Sequence, residues 1–305
     1  MMTNALILTL AMLLDAALGE PRWLWSRAPH PAVLMGRLIG WCDVQFNQGS
    51  RKKLKGAACL IALSSTAIAL GLVITALPLG WILELILAAI LLAQNSLAAH
   101  VRAVGDALRL STGDGRHAVA QIVGRDTTHM QPADIARGAI ESAAENLSDG
   151  VVAPAFWFLI GGLPGILLYK ITNTADSMIG YRTERHKDFG WASARFDDLL
   201  NWIPARLTAV LIAILHGQLG NWRDIIADAK LHRSPNAGWP EAAMSRVLNI
   251  SLSGPRSYSG KMQDFPFVHP KGRKDAGPDD IDAAVRVLWR VWGAIFGIVI
   301  LIAVA

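Results

Sequence analysis

The sequence is short of charge. Asp, Glu, Lys and Arg make up 17% of its 305 residues while 52% are hydrophobic, whereas soluble domains carry about 25% charged residues. That deficit argues against an ordinary soluble globule and points to a bilayer. Cysteine is almost missing: Cys42 and Cys59 stand alone, with no metal-ligand spacing and no disulfide framework. The familiar phosphate cradles are absent too, since neither G-x-x-x-x-G-K-[ST] nor G-x-G-x-x-G occurs. There is no G-x-S-x-G elbow and no Cys–His nucleophile pair. His30, His129, His186, His232 and His269 are scattered without zinc-ligand spacing. No bound redox cofactor is expected. The net charge of +5 would suit nucleic acid, but no stretch interleaves basic and aromatic residues into a stacking platform, so nucleic acid is not an expected partner.

What is present is a set of apolar runs. Met1 to Leu18 reads as a retained first span: it has no basic leader, and Gly19-Glu20-Pro21-Arg22 is a poor cleavage site. From Gly56 to Leu83 there is no charge. At about 20 residues per crossing, this stretch holds a span at Ala57 to Leu77 and a turn at Pro78-Leu79-Gly80. A return span follows at Trp81 to Ala99. Val151 to Tyr169 is apolar but broken by Pro154 and by Gly161-Gly162-Leu163-Pro164-Gly165, and Leu207 to Leu219 is too short to cross unaided. Val287 to Ala305 makes the last span. The 11 Trp against 3 Tyr fit interfacial anchors.

All 29 Lys and Arg lie outside the wholly apolar runs, the last of which is Val291 to Ala305, with Arg290 at the edge of its span. By the positive-inside rule, the polar stretches at roughly 19–56, 100–150, 170–206 and 220–286 face the cytoplasm. Keeping 170–206 on that side requires the broken segment 151–169 to be re-entrant, or to pack with 207–219 as half-depth helices. Irregular backbone at membrane depth is tolerated only where protein or a water-filled cavity covers it. Two full crossings, with one basic loop outside, is the alternative. The expected fold is a single membrane domain over residues 1–305, all-α and polytopic, with re-entrant or broken helices and large cytoplasmic loops in the cytoplasmic (inner) membrane.

Chemistry gathers in the polar stretches. Gln131-Pro132 opens a helix running to Gly150. On it Arg137, Glu141, Glu145 and Asp149 recur every fourth residue, along one stripe. Three stacked carboxylates need a cation among them, either Arg137 or a bound Mg²⁺, and the stripe ends at a membrane boundary, where ionisable groups tend to be functional. An ordinary solvated face with one Arg–Glu pair is the plain alternative. Asn173, Asp176, Ser177 and Gly180 share a second helical face after Lys170, a ligand-contacting surface or a polar seam between helices. Asp197 and Asp198 point in different directions, so one of them is structural. Arg206 is a snorkelling anchor or a phosphate clamp. The prolines around Asn236-Ala237-Gly238 make a rigid loop that either presents backbone N–H groups to an anion or simply connects helices.

Taken in order, these stretches resemble the CobD/CbiB family of cobalamin biosynthesis proteins. The resemblance rests on Asp15 to Pro21, His30-Pro31 through Met35-Gly36-Arg37, Gly124-Arg125-Asp126-Thr127 and Glu141 to Pro154. It continues through Asn173 to Tyr181, Phe189-Gly190, Asp197-Asp198 and Ser234 to Glu241. Glu20 stands where the family more often has Asp, and Leu252 to Lys261 matches more loosely. The resemblance implies adenosylcobinamide-phosphate synthase activity, in which ATP drives amide formation between adenosylcobyric acid and aminopropanol or its O-phosphate. Such chemistry calls for Mg²⁺ and cationic groups around phosphoryl oxygens. Glu141, Glu145 and Asp149, with Asp176, are the acidic candidates for metal and catalysis. Arg125, Arg137, Lys170, Asn173, Ser177, Tyr181, Arg182 and Asn236 are the candidates for holding phosphate or substrate, and Asp197 or Asp198 for taking the amine proton. Corrinoid and amino-alcohol substrates, the bilayer and other cobalamin-pathway enzymes are the implied partners. A corrinoid transporter or a membrane scaffold for corrin enzymes is the competing reading. Transporters usually carry paired repeats, and none is evident.

Overall fold

A computed structural model describes residues 2–258 and 260–305, the side chain of Arg22 aside. Met1, at the head of the first apolar run, lies outside the described residues. The chain passes through α1 (Asn4–Leu18), α2 (Arg22–Trp25), α3 (Pro31–Phe46), α4 (Lys52–Ala76), α5 (Gly80–Leu91), α6 (Gln94–Leu110), α7 (Thr112–Val119) and α8 (Pro132–Leu147). A π-helical turn, Ser148–Val152, leads into α9 (Ala153–Ile179), then α10 (Trp191–Leu200), α11 (Trp202–Leu215), α12 (Trp222–Ala229) and α13 (Gly238–Leu248). Two antiparallel ribbons follow. One pairs β1 (Leu252–Ser253) with β4 (Phe267–Val268), the other β2 (Arg256–Tyr258) with β3 (Lys261–Gln263). The last helix is α14 (Pro278–Val304).

Among the described residues, four helical stretches are long and apolar enough to cross a membrane: Lys52–Ala76, Gly80–Leu110, Pro132–Ile179 and Pro278–Val304, with Trp191–Leu200 plus Trp202–Leu215 a fifth if counted as one broken span. The all-α polytopic fold read from the sequence is the fold observed. Leu54, Ile61, Leu72 and Val73 of α4 are each more than half exposed, as expected where lipid replaces water as the solvent for the outer face.

The described chain forms two compact units, each assembled from separated segments. One holds the residues up to Ala93, Ala153–Asn201 and Phe296–Ala305; the other holds Gln94–Val152 and Trp202–Ile295.

In the first unit α4 packs along α9, with Gly71 directly against Pro164: a Cβ there would sit 2.7 Å from the proline N and Cα. The expected turn joins α4 to α5, with Leu79 in the left-handed region (φ 60°). The return run expected at Trp81 to Ala99 falls within the apolar stretch Gly80–Leu110, with Leu92 extended where α5 ends, just ahead of the polar Gln94-Asn95-Ser96. The break in α9 lies where the glycines forecast it. Gly162 has φ 59°, ψ −150°, a conformation open to glycine and strained for other residues. A straight helix would hold Ala153 and Tyr169 about 24 Å apart, yet both pack in one cluster with Leu200. The Trp157 carbonyl also occupies the place a Gly165 Cβ would need. The chain therefore doubles back at Gly161-Gly162, the broken shape expected of 151–169. A second cluster joins Ile39, Ile171, Ala175, Ile179 and Phe189. The Cys42 and Cys59 thiols, distant in sequence, share a hydrogen bond here and remain free.

The second unit is built around α8. Its start is the predicted one, with Pro132 in the first turn and Asp134 Oδ2 accepting from the Gln131 N–H at 3.0 Å. Small residues, Ala136, Ala139, Ala143 and Ala144, are fully buried, which lets α6, α7 and α13 close around it. The helix does not run on to Gly150 as expected. It ends at Leu147 and widens into the π turn, a feature that recurs at functional positions in helices.

Gly71→Leu should lower stability by about 1–3 kcal/mol, because the α4–α9 contact has no room for a side chain. Gly293→Ala, with nothing within 4 Å, should leave it unchanged. Thermal melts in detergent followed by circular dichroism would check both; equal midpoints for the two variants would refute the tight crossing.

Candidate functional site

The most heavily built polar site of the second unit centres on Glu141. Its carboxylate is 4% exposed and fully engaged. Oε2 accepts from Arg125 Nη2 at 2.7 Å and from Arg256 Nη1 at 3.1 Å, and Oε1 accepts from the Ser253 N–H at 2.7 Å. A buried carboxylate survives only with partners of this kind. The backbone is shaped to supply them. Ser253 and Gly254 both take left-handed conformations (φ 63° and 83°), which turns the Ser253 N–H toward α8. Gly138, one turn before Glu141, leaves space for a guanidinium: a Cβ there would lie 2.8 Å from Arg125 Nη2. Next door, Asp126 Oδ2 accepts from Ser257 Oγ at 2.6 Å and the Gly260 N–H at 2.7 Å, fastening the β2–β3 ribbon to the same loop.

These groups wall a cavity of about 510 Å³ lined by Arg125, Arg137, Arg256, His129, Asp126 and Asp134 among others. Three guanidiniums share it. Each offers five N–H donors and no acceptor, and the recorded partners of Arg125 and Arg256 engage only part of that set: Glu141 for both, and Ser253 Oγ at 2.8 Å for Arg256 Nη2. Arg256 Nε is buried with no protein acceptor. A wall of fixed, incompletely used guanidinium donors is suited to phosphate or carboxylate oxygens.

The stripe predicted on α8 is regrouped by the structure. Arg137 does not serve Glu141; it pairs with Asp134 and lies over the Phe267 ring at 5.6 Å. Glu141 takes its cations from Arg125 and Arg256, which lie elsewhere in the sequence. Glu145 is exposed, and Asp149 falls on the π turn, where the four-residue repeat no longer holds. Among the described residues no three His, Cys, Asp or Glu side chains gather as metal ligands, so Glu141, Glu145 and Asp149 do not form a preassembled metal cage. Asn236 is buried and its side-chain oxygen accepts from Arg206 Nη1 at 3.0 Å. Arg206 itself is stacked between the Trp202 and Trp239 rings at 4.6 and 4.7 Å. The Asn236 and Ala237 N–H groups turn inward to Ser234 Oγ, both at 3.3 Å.

The first unit holds the other predicted residues. Asp197 is buried, with Asn173 Nδ2 donating to Oδ1 at 3.2 Å and Asn201 Nδ2 to Oδ2 at 3.0 Å, while the Tyr169 hydroxyl donates to Asn201 Oδ1 at 3.0 Å. Asp198 is 30% exposed and lies 3.7 Å from Arg195, with Arg182 in electrostatic reach. Asp176 sits against Gly180, where α9 ends: its carbonyl accepts the Gly180 N–H, and its carboxylate fills the space a Cβ would take. Lys170 lies in electrostatic reach of His30, as does Glu20, so the first polar stretch meets the third. Ser177, Tyr181 and Arg182 are exposed.

Sequence reasoning did not single out Ser253 and Arg256. They lie in the stretch that matched the family loosely, and the one local signal was Gly254-Pro255, a turn that throws Arg256 sideways. His232 and Glu241 also escaped notice as site residues. His232 Nε2 is 3.7 Å from Glu241 Oε1, and Glu241 Oε2 is buried with no hydrogen-bond partner.

A family model described as CobD/Cbib protein matches residues 8–288. The chain is 45% identical to cobalamin biosynthesis protein CobD of Brucella suis biovar 1 (strain 1330) over 313 residues, covering 97% of this chain and 95% of the relative. It is 48% identical to the protein of that name from Sinorhizobium fredii (strain NBRC 101917 / NGR234) over 302 residues, covering 93% and 92%. It is 42% identical to that from Halalkalibacterium halodurans over 293 residues, covering 92% and 90%. No solved structure matches the chain. A match that spans nearly the whole sequence and takes in both the Glu141 cluster and the Asp197 network places this chain in the CobD/CbiB family.

Proposed function

We propose that the chain is an adenosylcobinamide-phosphate synthase, an ATP-dependent ligase that joins a propionate of adenosylcobyric acid to the amine of aminopropanol or its O-phosphate. The name its relatives bear supports the pathway. The observation that carries the reaction class is the cavity walled by Arg125, Arg137 and Arg256 and pinned by Glu141. In this reading a carboxylate oxygen of the corrinoid attacks the terminal phosphorus of ATP and ADP leaves. The amine nitrogen then adds to the acyl carbon, phosphate departs, and the amine gives up a proton. Both steps crowd negative charge onto phosphoryl oxygens, and rigid guanidiniums aimed at that charge lower both barriers. Glu141 is a positioning residue here: it fixes two of the three arginines. The polar stretches face the cytoplasm in this reading, because ATP is there, and the membrane is the cytoplasmic one.

Mg²⁺ accompanies ATP. It keeps several waters and takes substrate phosphates plus one or two carboxylates, so a triphosphate entering this cavity asks little of the protein. Glu145 and Asp149 are the candidates within this unit; Glu141 does not fit, since both its oxygens are occupied.

Glu241 lies behind the arginine wall. Burial, and then the nearby Glu141 and Glu145 carboxylates, hold it well above the usual carboxylate range. Burial likewise lowers His232. Both shifts disfavour the charged form.

Reconstituted protein given corrinoid acid, amine and ATP-Mg²⁺ should form the amide and release ADP; absence of turnover by the unaltered chain would instead favour a transporter or scaffold. Arg256→Ala should lower kcat by about 10²–10³, and Arg256→Lys should not restore it, because a point charge cannot reproduce the fork. An Arg256→Ala variant at full rate would remove the cavity from the reaction.

Glu241→Gln should behave oppositely in stability. A carboxyl whose pKa is raised on folding holds its proton more tightly folded than unfolded, so stability falls as pH climbs above the ordinary glutamate value of about 4.3. The variant should match the parent near pH 4 and surpass it increasingly toward pH 8, as read from thermal midpoints across that range. Parallel midpoint curves would contradict the assignment.

A further inference from the structure

The first unit carries a second cavity, of about 480 Å³, that the ligase reading does not use. It runs along α4 past Ala57, Leu60, Ile61, Ser64, Ser65 and Ile68, with Leu168 and the α10 residues Trp191, Arg195 and Phe196 on its other side. The α4 positions follow steps of three and four, so they form one continuous face. From Ala57 to Ile68 that face is about 16 Å long, close to half of the roughly 30 Å hydrocarbon core. The groove therefore has the depth of one leaflet.

Its mouth is built differently from its floor. The run Arg51-Lys52-Lys53-Leu54-Lys55 opens α4 immediately above Ala57. Lys53 Nζ lies over the Trp191 ring at 6.0 Å, and Arg195 stands one turn further along α10. Trp with Lys and Arg is the composition of a headgroup layer. Asp188 and Asp198 approach these cations only to 3.8 and 3.7 Å, and Lys53 and Arg195 stay 61% and 64% exposed, so basic charge dominates the mouth.

We propose that this groove is a binding site for one anionic phospholipid, an acyl chain lying along α4 and the phosphate meeting Lys53 and Arg195. A zwitterionic lipid would fill the floor equally well but would gain less at the mouth, so the site selects by headgroup charge. The second copy of the chain is the rival occupant, and it lacks the single-leaflet depth and the basic rim as reasons.

Protein purified in mild detergent and offered equal phosphatidylglycerol and phosphatidylcholine would be weighed by native mass spectrometry. One phosphatidylglycerol per chain should be retained in preference to phosphatidylcholine. Ser65→Trp, which fills the groove from an exposed position of α4, should weaken that retention about tenfold or more. Thr66→Trp, one residue on and outside the lining, should not change it. Lys53→Gln with Arg195→Gln should weaken phosphatidylglycerol about 25-fold, from about 1 kcal/mol per basic residue at the membrane surface, and leave phosphatidylcholine as it was. Equal retention of the two lipids by the parent, full retention by Ser65→Trp, or a dimer peak that Ser65→Trp abolishes would each overturn the proposal.

Discussion

One buried carboxylate organises the second unit. Glu141 has almost no contact with solvent, and an uncompensated charge in that position would cost several kcal/mol. It is tolerated because two chain stretches bring donors to it, the loop carrying Arg125 and the turn that delivers Ser253 and Arg256, while the α8 backbone clears a path at Gly138. The dependence is mutual. Without the carboxylate, two guanidiniums would face one another in a confined space, and the left-handed backbone at Ser253 and Gly254 would have no compensating bond. The cavity wall is thus rigid for an electrostatic reason, and rigidity is what makes its unused donors effective toward an incoming anion.

The first unit solves a different problem with amide and hydroxyl donors rather than guanidiniums. Its α9 lies in an apolar stretch, and its polar side chains cannot be left to water. Tyr169, Asn201, Asp197 and Asn173 satisfy one another in a chain of hydrogen bonds across α9 and α10. Such networks fix helix register in apolar surroundings, where dispersion alone would let helices slide. The sequence reading that one of Asp197 and Asp198 is structural fits this arrangement: Asp197 is locked in, and Asp198 lies toward solvent beside Arg195.

Much of the fold was legible because membrane spans obey a single rule of length and polarity. The hairpin of α4 and α5, its turn, the glycine break in α9 and the capped start of α8 were all readable from local signals. What escaped was non-local. Nothing in the spacing of Arg137 and Glu141 announces that Arg137 will turn to Asp134, because that choice depends on Arg125 and Arg256 arriving from distant segments. A regular four-residue stripe also presumes a continuous α-helix, and the π turn at Ser148–Val152 breaks that premise without an obvious sequence mark. The local break at Leu92, between α5 and α6, was hidden in a hydrophobic average that spread over Gln94-Asn95-Ser96.

The doubled-back α9 has a bearing on how this chain can be handled. Its break leaves carbonyls without helical partners, and one of them, Leu159, accepts from the Asn4 side chain at 3.4 Å across a separation of 155 residues. Asn4 also lies against Gly162, close to where a side chain would begin. The first turn of the first helix is therefore a fitted part of a structure made from the middle of the chain. A bulky substitution in that first turn would therefore disturb the hinge of the doubled-back segment, and during synthesis that asparagine must wait in an apolar helix until its partner has been made.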